Sequence, residues 1–280
     1  MAFQFSDRHI EEFLTQGFTV FRGIVPPALV QDLRGETDRG REQIRTTRGP
    51  QAQRFQPITS VDVDAAPFAA FRELPELNDA VHRTLSPHHS YGDPSQMGVL
   101  LEPRDHAYCI RWHRDGRDNQ PLLVLEQWEE KFGNLDFFGQ SNCALYDDHS
   151  LWVVPGSHLR DDLPRERARF PTRPIMPPVL DGLGEPERER VCLAYCRSMP
   201  GAVQICLEPG DYTLYRSVLW HAGNYVPYTR RATLHDYVDT PAFRQWRTEQ
   251  RAVVAGLRAA GRAEWDWSVP RWGPVKPVVG

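Results

Sequence analysis

No run of apolar residues in this 280-residue sequence is long enough to cross a lipid bilayer, which takes about 20. Its mean hydropathy of -0.53 agrees with a protein whose surface faces water. The first residues, MAFQFSDRHIEEF, include acidic side chains and lack the apolar stretch of a secretory signal. These absences argue against a membrane partner and predict a cytoplasmic location.

Cysteine is also scarce. The five cysteines are an odd number in a chain too long to need disulfide bonds for stability, so we predict reduced, structural thiols. Cys192 and Cys196 have the spacing of a zinc-ligand pair, but the surrounding sequence VCLAYC is apolar and no second pair stands at finger spacing. Buried thiols are therefore favoured over a zinc site.

Basic residues form no block along the chain, and the formal net charge is -4. A protein that binds nucleic acid usually shows a concentrated basic surface. Nucleic acid is therefore not expected as a partner. Apolar residues at 40% and charged residues at 25% are typical of a globular protein, and residues 1–280 are predicted to form a single domain.

The first third of the chain, residues 1–97, is predicted to be largely helical. Ser6 is a candidate N-cap and Gly17 a candidate end for one helix, and a short strand follows. Two prolines open a second helix, and residues 71–85 carry apolar side chains at helical spacing. The tail, residues 240–280, is also predicted to be helical.

Residues 98–239 are rich in short β-forming runs separated by turn residues. The candidate strands are GVLLE, AYCIRWH, LLVLEQW, CALYD, SLWVVP, VQICLE, YTLYRSVLWH and RATLHDYVD. This pattern predicts a mainly β protein with helices (α+β), in which a jelly-roll core is flanked by N-terminal and C-terminal helices. The stretch 159–190 interrupts the strands with proline, arginine and glutamate, and it is predicted to be a lid.

A candidate metal site begins with the string RWHRDG. Residues two apart on a strand face the same side, so His113 and Asp115 can direct an imidazole and a carboxylate to one point. His221, at the end of YTLYRSVLWH, is the candidate third ligand. Two histidines and one carboxylate leave further metal positions open, as in iron(II) sites that activate oxygen. The H-x-D pattern alone fits a surface pair equally well.

Two arginines follow the third candidate ligand. Arg230 and Arg231 stand nine and ten residues after His221, at the start of the next candidate strand. A guanidinium binds a carboxylate through two parallel hydrogen bonds, which suits the distal end of a dicarboxylate such as 2-oxoglutarate. Because adjacent residues on a strand face opposite ways, only one of the two can enter the core.

Several motifs in order resemble the phytanoyl-CoA dioxygenase family of iron(II)- and 2-oxoglutarate-dependent oxygenases. They are FSDRHIEEFLTQGFTVFRGIVPPALVQDLR, WHRD, ALYDD followed by SLWVVPGSHL, and EPGDYTLYRSVLWHAGN with an arginine after it. The resemblance runs from the N-terminus to about Asp239. It implies a double-stranded β-helix core of the cupin-like type, with Fe(II), 2-oxoglutarate and O2 as cofactor and co-substrates.

The resemblance also assigns residues. It implies metal ligation by His113, Asp115 and His221. It matches Arg230 to the 2-oxoglutarate-binding arginine, because the pattern Arg-x-Ala fits best there, with Arg231 as the alternative. Asn142 is a further candidate contact of the co-substrate.

The implied activity is hydroxylation of an unactivated carbon of a small molecule, with release of succinate and CO2. Desaturation or ring closure fits the same motifs, and a natural product, an amino-acid derivative, a lipid or a carrier-bound acyl group all fit as substrates. One alternative is a non-catalytic jelly-roll relative that binds a metal or ligand. Another is a cupin-like isomerase or dioxygenase without 2-oxoglutarate, which would not need the arginine. His158, in PGSH, is predicted to hold a loop.

Overall fold

The computed structural model describes residues 3–92, 96–118, 134–135, 138–172 and 174–261. The described helices are α1 (Asp7–Gln16), α2 (Pro27–Thr47), α3 (Ala66–Arg72), α4 (Pro75–Thr84), α5 (Pro164–Arg169), α6 (Glu185–Arg197) and α7 (Pro241–Ala259). The described strands are β1 (Phe18–Phe21), β2 (Arg54–Phe55), β3 (Ser90–Tyr91), β4 (Gly98–Leu101), β5 (Tyr108–Cys109), β6 (Gly139–Ala144), β7 (Asp148–Val153), β8 (Val203–Leu207), β9 (Tyr212–Arg216), β10 (His221–Tyr225) and β11 (Ala232–Asp239). Over these ranges, no helix is long and apolar enough to cross a membrane.

The strands form two antiparallel sheets. The large sheet has the order β1-β9-β6-β11-β4-β2, with β3 also pairing with β11, and the small sheet has the order β5-β10-β7-β8. Residues of both sheets line one cavity, so the two sheets face each other. This is the jelly-roll core flanked by helices that the sequence predicts.

The outer face of the large sheet packs against the N-terminal helices. Phe55, Val99, Leu234, Cys143 and Tyr212 lie in one register row across five strands, and all are fully buried or nearly so. They share a cluster with apolar residues of α2 and α4. Since strand neighbours alternate in direction, the residues on either side of this row face the cavity instead.

Local sequence accounts for α1. The helix begins after Ser6 and ends at Gly17, whose φ of 86° lies in the left-handed region and whose N–H donates to the Phe13 carbonyl. Both bounds match the sequence prediction. Gly17 is needed here because a residue with a Cβ rarely adopts this conformation.

Two predicted elements divide in the structure. The helix predicted over residues 71–85 is wrong as a single element, because α3 ends at Arg72 and α4 begins at Pro75. Proline disfavours helical conformation in the residue before it, which explains the break. The strand predicted over YTLYRSVLWH is also wrong, because β9 ends at Arg216 and His221 opens β10.

Other predictions are met in part. In AYCIRWH only Tyr108 and Cys109 form a strand, and LLVLEQW lies outside the described residues. The stretch 159–190 contains α5 and the start of α6, and its role as a lid stays a prediction. The helix predicted in the tail is found as α7, and the part of the predicted tail beyond residue 261 lies outside the described residues.

The cysteines are all free. Cys109, Cys143, Cys192 and Cys196 are buried, as expected for structural thiols, whereas Cys206 is exposed. Among the residues described, Cys192 and Cys196 belong to no group that could hold a metal ion. The prediction that this pair are buried thiols is therefore confirmed.

Candidate metal centre

A short backbone bridge brings two histidines together. His113 and His221 exchange both of their main-chain hydrogen bonds, each 3.0 Å long, as an isolated antiparallel bridge. Directly opposed residues in an antiparallel pair project to the same side of the sheet. The two imidazole rings accordingly lie with their centroids 4.1 Å apart.

Asp115 completes the group from the turn after the bridge. Its N–H donates to the Ser217 carbonyl over 2.9 Å, which ties this turn to the one between β9 and β10. Its Oδ1 lies 3.5 Å from His113 Nε2, and its Oδ2 lies 3.7 Å from His221 Nε2. Ligand atoms about 2.1 Å from a shared ion are separated from one another by about 3–4 Å. The spacing therefore fits a metal ion held by three side chains.

The other nitrogen of each ring fixes the orientation of the ligand nitrogen. Nδ1 of His113 lies 2.8 Å from the Arg111 carbonyl, and Nδ1 of His221 lies 2.8 Å from the Leu219 carbonyl. Because a carbonyl only accepts, each Nδ1 must carry the proton, which leaves the lone pair on Nε2. Burial is the main cause that lowers the pKa of both imidazoles to about 4, and for His113 the neighbouring His221 contributes to the lowering. Both rings are therefore neutral and able to bind a cation.

The carboxylate is held from the large sheet. Gln140 of β6 donates a hydrogen bond from Nε2 to Oδ2 of Asp115. Tyr215 of β9 donates from its hydroxyl to Oε1 of Gln140 over 2.5 Å. Burial, together with the charge of Asp115, raises the pKa of Tyr215 well above its ordinary value, so the hydroxyl keeps its proton. Sequence reasoning missed both residues, although each lies on the cavity side of its strand.

The three candidate ligands lie in the wall of a cavity of about 430 Å³, which we call the metal cavity. The small sheet contributes His221 and Leu151, and the large sheet contributes Gln140, Asn142 and His235. Within the described chain, no second group of histidine, cysteine, aspartate or glutamate has metal-binding spacing. The metal cavity is thus the place where a bound ion would meet a small molecule.

The structure separates the two candidate arginines. Arg231 lines the metal cavity and is 6% exposed, whereas Arg230 lies outside it, about half exposed, with Nη2 2.6 Å from Asp38 Oδ2. The expected placement of Arg230 in the cavity is not met. Strand parity explains this placement: Arg231 has the parity of Thr233 and His235, while Ala232 and Leu234 face the helices.

Arg231 is held by a buried carboxylate. Its Nε lies 3.0 Å from Oδ2 of Asp148, and its guanidinium carbon lies 4.9 Å from the centre of the Tyr225 ring. Burial acts to lower the pKa of Arg231, but the charge and hydrogen bond of Asp148 together with Tyr225 and Tyr108 raise it above its ordinary value. Arg231 is therefore a fixed positive charge in the cavity wall.

Two further sequence candidates have defined contacts. Asn142 lines the cavity, and its Oδ1 lies 2.8 Å from Nδ1 of His235. His158 lies apart from the three candidate ligands, and its Nε2 is 3.1 Å from the Leu14 carbonyl at the end of α1. The prediction that His158 holds a loop is confirmed.

A family model described as Phytanoyl-CoA dioxygenase (PhyH) matches residues 13–226. A comparison with curated protein sequences finds no match. Solved structures do resemble this one. HygX from Streptomyces hygroscopicus, with nickel and 2-oxoglutarate bound, is 17% identical, with 85% of this chain and 88% of that chain covered and a TM-score of 0.56.

EctD from S. alaskensis, with 2-oxoglutarate and 5-hydroxyectoine, is 16% identical, with 85% of this chain and 77% of that chain covered and a TM-score of 0.55. SnoN, a non-heme alpha ketoglutarate dependent epimerase from nogalamycin biosynthesis, is 16% identical, with 83% of this chain and 82% of that chain covered and a TM-score of 0.54. At these identities the likeness shows a shared fold. Because the family model covers most of the sequence, the chain belongs to the phytanoyl-CoA dioxygenase family of 2-oxoglutarate-dependent oxygenases.

Proposed function

We propose that this oxygenase hydroxylates an unactivated carbon of a small molecule while 2-oxoglutarate is converted to succinate and CO2. In this proposal His113, Asp115 and His221 hold the iron(II). The observation that carries it is the meeting of three ligand atoms, within 4.8 Å of one another, in the wall of a cavity that also contains a buried arginine. Each of these features is needed for the reaction, and all face one space.

The protein side of the metal site is preorganised. Two neutral imidazoles direct their Nε2 lone pairs toward Asp115, because backbone carbonyls hold both Nδ1 protons. Gln140 holds the carboxylate in place through Oδ2. When bound, iron(II) supplies the redox chemistry that activates dioxygen, and three protein ligands leave positions open for it and for 2-oxoglutarate.

Arg231 is the residue we assign to the distal carboxylate of 2-oxoglutarate. Its contact with Asp148 uses Nε, and its two Nη nitrogens make no hydrogen bond within the described part of the chain. These nitrogens can donate in parallel to a carboxylate in the cavity. Asn142 is a second proposed contact: its Oδ1 already accepts from His235, so its amide nitrogen is the donor that remains.

Succinate formation tests the reaction. The protein is incubated with Fe(II), 2-oxoglutarate and oxygen, with and without a panel of small molecules, and succinate is measured together with binding of Mn(II), which can replace iron without turnover. We expect iron-dependent succinate formation, increased by a substrate. His221→Ala should lose both succinate formation and Mn(II) binding, while His149→Ala, at an exposed histidine outside the cavity, should retain them.

The same measurements separate the alternatives. Tight Mn(II) and 2-oxoglutarate binding without succinate under any condition would indicate a non-catalytic relative. Product formation that needs the metal but not 2-oxoglutarate would indicate a cupin-like isomerase or a dioxygenase of another kind. Full Mn(II) binding by His221→Ala would contradict the ligand assignment itself.

A further inference from the structure

A second arginine, exposed at the edge of the large sheet, lines the metal cavity. Arg54 of β2 pairs with Leu100 of β4, and Leu100 pairs in turn with Thr233 of β11. Residues in one register row face the same side of a sheet, and Thr233 has the same parity as Arg231. Phe55, the next residue, faces the helices and is fully buried. The pleat therefore turns Arg54 inward, and it lines the cavity.

Arg54 has no acidic partner among the described residues. Within the described ranges it makes neither a hydrogen bond nor an ion pair, whereas Arg231 is paired with Asp148. Of the described residues that line the cavity, only Asp115 is acidic, and its two oxygens face the histidines and Gln140. A cationic side chain that faces a cavity without an acidic partner is suited to bind an anion.

The position of Arg54 differs from that of Arg231. Strand β4 lies between β2 and β11, so the backbones that carry the two arginines are about 10 Å apart at a strand spacing of about 4.8 Å. The wall of the cavity also includes Tyr108, Ile110 and Leu151, which offer aromatic and apolar surface. With Arg231 assigned to 2-oxoglutarate, Arg54 and this surface remain for the molecule that is oxidised.

We propose that Arg54 binds an acidic group of the substrate, a carboxylate or a phosphate, so that this enzyme oxidises anionic small molecules with an apolar or aromatic part. The proposal rests on the proposed function, because it takes the co-substrate to be held by Arg231. Arg54 recognises one end of the substrate. The carbon to be oxidised then lies between Arg54 and the three metal ligands.

Matched pairs of charged and neutral ligands test this assignment. The protein is loaded with Mn(II) and saturating 2-oxoglutarate, and binding is measured by calorimetry for octanoate against octanamide, 4-phenylbutanoate against 4-phenylbutanamide, and octyl phosphate against octanol. We expect at least one acid to bind roughly ten- to a hundredfold more tightly than its neutral partner, as for a hydrogen bond to a charged group. The carboxylate and phosphate pairs distinguish the two kinds of acid.

Arg54→Gln should remove the preference for the acid and leave the neutral partner unaffected, and Arg54→Lys should retain part of it. Arg48→Gln, at an exposed arginine that does not line the cavity, should keep the full preference. The absence of any preference in the unmodified protein, or its survival in Arg54→Gln, would overturn the proposal. A loss of 2-oxoglutarate affinity in Arg54→Gln would instead make Arg54 a co-substrate residue, which overturns this inference and leaves the proposed function intact.

Discussion

Gln140 reaches across from the large sheet and donates a hydrogen bond to Oδ2 of Asp115, the only carboxylate among the three candidate metal ligands. The tyrosine behind it, Tyr215, fixes the amide by donating to its oxygen over 2.5 Å. Groups that hydrogen-bond to a metal ligand set its orientation, and their removal typically weakens metal binding. The metal site is therefore assembled from both sheets.

Gln140→Leu should weaken Mn(II) binding by about 10- to 100-fold, because Asp115 loses the donor that orients it. Titration of the metal-free protein with Mn(II) measures this change. Gln204→Leu, at an exposed glutamine outside the cavity, is the control and should bind like the unmodified protein. Equal affinity in both variants would show that the contact of Gln140 with Asp115 does not support the metal.

Arg231→Ala should raise the dissociation constant of 2-oxoglutarate sharply, since the distal carboxylate of 2-oxoglutarate loses its partner in the buried site. A loss of about 2–5 kcal/mol corresponds to roughly thirtyfold to several thousandfold in affinity. Arg230→Ala removes an exposed ion pair with Asp38 and should change the constant little. Calorimetry on the Mn(II) form measures both, and a larger effect from Arg230 would contradict the placement of these residues.

Gly17→Ala should destabilise the fold. A Cβ at this position would overlap Nδ1 of His158 and lie 2.8 Å from Leu219, and its φ of 86° is unfavourable for any residue with a Cβ. Overpacking and the left-handed conformation together should cost about 2–4 kcal/mol. Urea denaturation measures the loss. Gly35→Ala, in the interior of α2 with open space around it, should be neutral or stabilising by up to about 1 kcal/mol.

His158 should make stability depend on pH. Burial, with a contribution from the nearby Arg216 and Arg114, lowers its pKa to about 4 against the hydrogen bond to Leu14. In the unfolded chain its pKa is about 6.5. Between these pH values the unfolded state binds a proton at His158 and the folded state does not. The contribution of neutral His158 to the stability of the fold is therefore complete above pH 6.5 and is lost as the pH falls toward 4.

The difference between the unmodified protein and His158→Gln isolates this contribution from the other buried histidines. Between pH 6.5 and pH 4, the free energy of unfolding of the unmodified protein should fall more steeply with decreasing pH than that of His158→Gln, by up to about 1.4 kcal/mol per pH unit. Urea denaturation at pH 5 and pH 7 gives the two slopes. His149→Gln, at an exposed histidine, should leave the slope unchanged, and an identical slope in His158→Gln would mean that His158 does not carry the effect.

Local sequence was sufficient for the bounds of α1 and for naming His113 and Asp115 as candidate metal ligands. An N-cap at Ser6 and a left-handed end at Gly17 depend on a few neighbouring residues. The pairing of His113 with Asp115 depends on a spacing of two residues. Short-range geometry of this kind follows directly from the order of neighbouring amino acids.

The choice between Arg230 and Arg231, and the presence of Gln140 and Arg54 in the cavity, depended on tertiary structure. One face of the large sheet packs against helices and the other lines the cavity. Apolar and polar residues therefore do not by themselves show which side chains face the cavity. The pairing register of the strands decides it: β2, β6 and β11 come from distant parts of the chain, and only their alignment directs Arg54, Gln140 and Arg231 into one space.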